Sequence, residues 1–157
     1  MSPAEVRTIY QYVWTPATPA RVWRALTDNI EFGAWFRVKA DRAFEPSSLV
    51  RMVSTHPSCT GLEFSMTIEE MAPERRFSWR WHPGAQQPPD VSDAPTTVVD
   101  FEIESARGGT MVTVTESGFD RIPVERRAAV FQENEDGWKE QLRALARYLL
   151  EDRIRNR

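Results

Sequence analysis

The last third of this 157-residue chain carries an apolar stripe that only a long helix can bury. Counting from Val124, apolar side chains recur at Ala128, Phe131, Trp138, Leu142, Leu145 and Leu149, the three- and four-residue spacing that lines one helix face. At about 1.5 Å per residue, a helix from Pro123 to Glu151 is longer than a small domain is wide, so it must lie across a broad surface. The stripe breaks at mid-length. Asn134 and Glu135 fall near the edge of the buried arc, and Gly137 beside them costs roughly 1 kcal/mol relative to Ala, which points to a demand other than helix stability there. The closing residues RIRNR read as a frayed, solvated helix end where the dipole favours cations.

The broad surface comes from the residues before the helix. Val6 to Thr15 is rich in β-branched and aromatic side chains and reads as a strand stopped by Pro16. Thr18 caps a helix with Pro19 in its first turn and Val22, Trp23 and Leu26 on its apolar face, and Asp28 or Asn29 caps a second carrying Phe32, Trp35 and Phe36. From Val38 to Phe119 the period changes to two. Leu62, Phe64, Met66 and Ile68 alternate with polar residues, as do Phe77, Trp79 and Trp81, which predicts a half-buried antiparallel sheet. Strands at 38–44 and 49–55 are separated by Pro46, Met71 to Arg75 forms a turn, and Arg107-Gly108-Gly109 signals a hairpin. The connection from Pro83 to Pro95 is far longer than the roughly 2–5 residues of an ordinary hairpin, and is expected to be a mobile loop near a cavity opening.

Bulk properties exclude several function classes. The length suits a single domain over residues 1–157, and lone Cys59 excludes an internal disulfide. The start MSPAEVRTIY has no apolar signal core, and no run reaches membrane-spanning length, so the expected location is cytoplasmic. With 20 Lys+Arg against 23 Asp+Glu and no basic tract before the tail, nucleic acid is not an expected partner. Phosphate-loop, dinucleotide and HExxH signatures are absent, and two histidines, His56 and His82, are too few for a histidine-based zinc site; no metal or cofactor is expected. Cys59 and His56 lie close along the chain, but adjacency is not the geometry of a nucleophile pair. Of six tryptophans, Trp14, Trp23 and Trp35 fit packing roles, whereas Trp79, Trp81 and Trp138 suit the walls of a pocket as well as they suit a filled core. Glu116 shares parity with Val112 and Val114. It therefore points to the helix side, where a carboxylate must be exposed at a mouth, paired or protonated, with Arg80, His82, Asn134 and Gln141 as candidate partners; the alternative is a strand that twists into solvent before residue 116.

The segments TPARVWRALTD, FGAWF, RFSWRWHPG, GGTMVTVTESGF and NEDGWKEQLRALARYL, in this order, resemble the single-domain bacterial proteins related to the C-terminal domain of the activator of Hsp90 ATPase, within the START-like, Bet v 1-like superfamily. The resemblance implies an α+β helix-grip fold, a curved antiparallel sheet around a long C-terminal helix with two short helices after the first strand. It also implies a space between sheet and helix that, in related proteins, often holds lipids, polyketides or other apolar molecules. Eukaryotic co-chaperones of this family carry a separate N-terminal domain important for acting on Hsp90. This chain begins at its first strand, so Hsp90 co-chaperone activity is not the leading expectation. That expectation is a non-enzymatic module binding a small hydrophobic or aromatic ligand through Trp79, Trp81, Val114, Glu116, Phe131, Asn134, Trp138 and Gln141. The alternatives are a cyclase/aromatase- or hydrolase-like enzyme with Glu116 as its acid or base, and a protein-interaction or Hsp90-related stress-response module.

Overall fold

The computed structural model of the protein describes residues 8–84 and 94–156. Strand β1 (Thr8–Thr15) leads into α1 (Pro19–Thr27) and α2 (Asn29–Phe36); then come β2 (Val38–Ala40), β3 (Leu49–Ser54), β4 (Glu63–Ala72), β5 (Arg76–Trp81), β6 (Thr97–Ala106) and β7 (Gly109–Ser117), and finally α3 (Val124–Arg155). The seven strands form one antiparallel sheet in the order β1-β7-β6-β5-β4-β3-β2. This is the α+β helix-grip arrangement that the family resemblance implies, built from the strands and long helix that the alternating and helical periods predict.

Local chemistry accounts for the punctuation. The Thr18 hydroxyl accepts from Arg21 N–H to start α1, and the Asp28 carboxylate accepts from Ile30 and Glu31 N–H to start α2 without a gap. The β6–β7 hairpin turns on Arg107 and Gly108, both at positive φ (52° and 77°), the primed geometry that matches strand twist. Gly109 next to it has no room for a side chain, because a Cβ there would lie 2.2 Å from the Thr15 carbonyl oxygen of β1.

Period-two alternation sends Phe77 and Trp79 of β5, Val99, Phe101 and Ile103 of β6, and Val112 and Val114 of β7 into the interior. Across from them α3 buries Phe131, Trp138, Leu142, Leu145 and Leu149. The α2 end is closed by rings. Phe32 contacts Trp35, Phe36, Phe44 and Trp79 at centroid distances of 5.1, 4.7, 5.3 and 5.8 Å. A polar clamp ties the three helices together: Arg21 bridges Glu31 (2.7 Å) and Asp152 (2.9 Å), while Tyr148 Oη donates to Glu31 (2.7 Å).

Several expectations need correction. Ala128 is exposed and Val130 is buried instead. Residues two apart lie on opposite flanks of a helix, and the first turns of α3 present the flank facing Gly84, whose missing Cβ would sit 3.9 Å from a Val130 methyl. The C-terminal end does not fray at Glu151. It stays helical to Arg155 because Asp152 pairs with Arg21 and the Arg153 guanidinium donates to the Pro16 carbonyl. The 38–44 strand is only three residues long, since the Asp41 side chain takes up the Arg51 N–H. Trp14 is 41% exposed, with its indole N–H on the Ala106 carbonyl, and is no core residue. Val6 and most of the 83–95 connection, residues 85–93, lie outside the described residues.

Candidate functional site

Glu116 is completely buried, so β7 does not twist into solvent before it. Four side chains on three elements donate to its carboxylate. Oε1 accepts from Trp138 Nε1 (2.8 Å) and Asn134 Nδ2 (3.1 Å), and Oε2 accepts from Trp81 Nε1 (2.9 Å), Thr97 Oγ1 (2.5 Å) and Asn134 Nδ2 (3.1 Å). With no cation among these partners, the burial of the carboxylate is offset by donors alone, which occupy the lone pairs of both oxygens. Of the candidate partners, only Asn134 is one. Arg80 pairs with Glu69, His82 Nδ1 meets the Pro95 carbonyl, and Gln141 Nε2 donates to the Phe36 carbonyl.

This arrangement explains the polar break in the α3 stripe. Asn134 sits where α3 crosses the end of β7, and its amide donates to the buried Glu116 carboxylate. The same bonds orient Trp81 and Trp138, whose rings lie nearly parallel (29°) at 6.0 Å, with their N–H edges turned to Glu116.

On the other side of those rings opens a cleft of about 320 Å³. Phe36, Leu62, Phe64, Trp81 and Trp138 supply its apolar walls, while Asn134, Gly137 and Gln141 of α3 form one side and the β3–β4 loop with His56, Ser58 and Cys59 forms another. A Cβ on Gly137 would meet nothing within 4 Å. The glycine therefore opens the cleft at a point where any side chain would enter it. Pro83 and Gly84, the described start of the long connection, also line the cleft.

The cleft takes in four of the expected ligand residues, Trp81, Asn134, Trp138 and Gln141. The other four lie elsewhere. Trp79, Val114 and Phe131 are packed in the core, where Trp79 touches Phe101 at 5.6 Å and Trp138 at 6.2 Å, and Glu116 lies one layer beneath the wall. Rings fill the centre of the sheet, so open space begins only beyond Trp81. Sequence reasoning missed Phe36, Arg37, His56, Ser58 and Cys59. The parity that aligned Leu62 and Phe64 with Met66 was the available signal for that end of the sheet, but a loop carries no period to bring His56 beside α3.

The loop has its own hydrogen-bond chain. Ser58 N (3.1 Å) and Ser58 Oγ (2.7 Å) both meet His56 Nδ1, and His56 Nε2 meets Glu140 Oε1 of α3 at 3.1 Å. A backbone N–H can only donate, so Nδ1 is the accepting nitrogen and Nε2 carries the proton toward Glu140. Cys59 is not paired with His56; its Sγ contacts Ser54 Oγ at 3.2 Å. Among the described residues no group of three His, Cys, Asp or Glu side chains is placed to hold a metal ion, and no helix is long and apolar enough to cross a membrane.

Solved structures share this architecture at identities that establish the fold alone. A protein from Arthrobacter aurescens superposes with a TM-score of 0.75 at 15% identity, over 96% of this chain and 90% of that one. MLL2253 from Mesorhizobium loti gives 0.71 at 22%, over 91% and 96%. DynU16, a protein of the dynemicin biosynthetic locus, gives 0.67 at 22% over 91% of this chain, which spans only 47% of DynU16. No curated protein matches the sequence significantly. The family profile described as activator of Hsp90 ATPase homolog 1-like protein matches residues 16–150, nearly the whole of the fold and every described residue of the cleft, and the chain belongs to that family.

Proposed function

We propose that the protein binds a small, largely apolar or aromatic molecule in the cleft between α3 and the β3–β5 end of the sheet. The observation that carries this reading is the pair of indoles whose N–H groups are fully engaged by Glu116, so that carbon surface is what Trp81 and Trp138 offer to the cleft. Its volume lies at the lower end of the range for small-molecule sites, and the hydrogen bond from Gln141 to Phe36 braces the walls before any ligand arrives. N-phenyl-1-naphthylamine, an uncharged fluorescent aromatic, is a suitable probe. Gly137→Leu should abolish its binding while leaving the protein folded, and Gly137→Ala should stabilise α3 by about 0.5–1 kcal/mol while weakening the probe. Unchanged binding in the Leu variant refutes the reading.

A second reading, hydrolysis of an ester-bearing ligand, is favoured by the Ser58–His56–Glu140 chain at the cleft's edge. Ser58 Oγ would add to an acyl carbon as His56 Nδ1 takes its proton and passes it to the leaving group; water then releases the acyl chain from the serine. Aryl esters test it. Turnover that disappears in Ser58→Ala while probe binding survives supports hydrolysis, and equal turnover in parent and variant rules it out.

A further inference from the structure

Beyond Gln141 the cleft continues into a smaller groove of about 220 Å³ between the end of α2 and α3. Arg37, His56, Glu140 and Gln141 line both spaces, and the groove adds Arg143 and Arg147, which share one flank of α3 at a four-residue spacing. Among the described residues the guanidinium groups of Arg37, Arg143 and Arg147 make no ion pair or hydrogen bond. Arg21, Arg24, Arg76 and Arg80 pair with carboxylates, while other exposed arginines without a side-chain partner among the described residues, such as Arg75, Arg107, Arg121 and Arg126, do not line this groove. The groove contains one carboxylate, Glu140, and it faces the protonated nitrogen of His56 rather than an arginine. Three unmatched cations thus converge on one groove of a chain whose formal charge is -3.

We propose that this groove is an anion subsite, and that the ligand of the adjoining cleft is an aromatic or apolar molecule bearing a carboxylate, sulfonate or phosphate group. The inference rests on the cleft-binding reading and adds the charge of the ligand to it. The apolar body lies against Phe36, Trp81 and Trp138, and the anionic group reaches past Gln141 to the forked donors of Arg37, Arg143 and Arg147. Both spaces share their boundary residues, so one molecule can occupy the two together.

The test compares N-phenyl-1-naphthylamine with 1-anilinonaphthalene-8-sulfonate, the same aromatic frame with an added sulfonate, by fluorescence titration. At about 20 mM salt the sulfonate should bind more tightly than the neutral probe, and its advantage should shrink at about 500 mM salt as the charges are screened. Arg143→Gln/Arg147→Gln should weaken the sulfonate about tenfold and leave the neutral probe within about twofold. Arg51→Gln, an exposed control on β3, should leave both probes unchanged. Equal affinity for the two probes, or equal losses for both in the double variant, overturns the anion subsite alone. Failure of the parent protein to bind either probe overturns the cleft reading and the subsite with it.

Discussion

Replacing Glu116 with Gln tests how the buried carboxylate organises the wall of the cleft. In the parent, each oxygen accepts an indole N–H, from Trp138 on Oε1 and from Trp81 on Oε2. Gln has the same shape but only one oxygen. Asn134 can turn its amide to accept from the new NH₂, and the Thr97 hydroxyl can rotate, but an indole N–H cannot become an acceptor. Whichever way the substituted amide is turned, one tryptophan is left facing a donor. An orphaned buried donor costs about 1–3 kcal/mol, and the surviving bonds lose their charge assistance, so the total loss should be about 2–4 kcal/mol. In a protein of this length that corresponds to a fall in Tm of about 4–16 °C. Urea unfolding followed by far-UV circular dichroism, with the m-value unchanged, gives the number directly. The double variant Glu116→Gln/Trp138→Phe removes the donor that would be orphaned, and should be more stable than the sum of the single losses by about 1–2 kcal/mol. A loss below about 0.5 kcal/mol in Glu116→Gln, or strict additivity in the double variant, refutes the argument.

Two further outcomes follow from the packing and the helix clamp. Trp138→Ala should cost about 3–5 kcal/mol, because the ring is 3% exposed and its loss also strips a donor from Glu116; a near-neutral midpoint in the same urea assay counts against α3 as the core helix. Burial pushes the Glu31 carboxyl up, but the hydrogen bonds from Tyr148 and Arg21 outweigh it and hold Glu31 below the usual carboxylate range; hydrogen bonding to Arg21 likewise lowers Asp152. Since the folded values are depressed, this stabilisation is present above the unfolded-state values, near pH 4, and is lost as pH falls through the folded ones. Urea midpoints taken from neutral pH downward should therefore drop below about pH 4, and Glu31→Gln should flatten that drop; identical slopes in parent and variant refute the coupling.

Much of the architecture was legible because it rests on local rules. The 3.6-residue period from Phe131 to Leu149 identifies α3, and the alternation through Phe64, Met66 and Ile68 and through Phe77, Trp79 and Trp81 identifies strands. Thr18 and Asp28 mark the helix starts because a capping side chain needs only the next three residues. Parity alone also sends Glu116 inward, since side chains two apart along a strand face the same way. What the sequence could not convey was which donors reach that carboxylate. Trp81, Thr97, Asn134 and Trp138 are separated from it by 35, 19, 18 and 22 positions, and only the docking of α3 across β5 to β7 brings them together.

The cleft divides in the same way. Gly137 was visible as a helix weakness, yet its use depends on a tertiary fact, the open space beside it. Trp79 and Trp81 are equivalent by period; the ring packing around Phe32 and Phe101 seals the first into the core and leaves the second at the edge. His56, Ser58 and the Arg37 groove belong to loops and helix ends, where no repeat ties position to direction. By itself the sequence determined the elements and the inward face, because those depend on neighbours along the chain. The tertiary structure decided where the core stops and the cleft begins, because that depends on how the rings of separate elements fill the space between them.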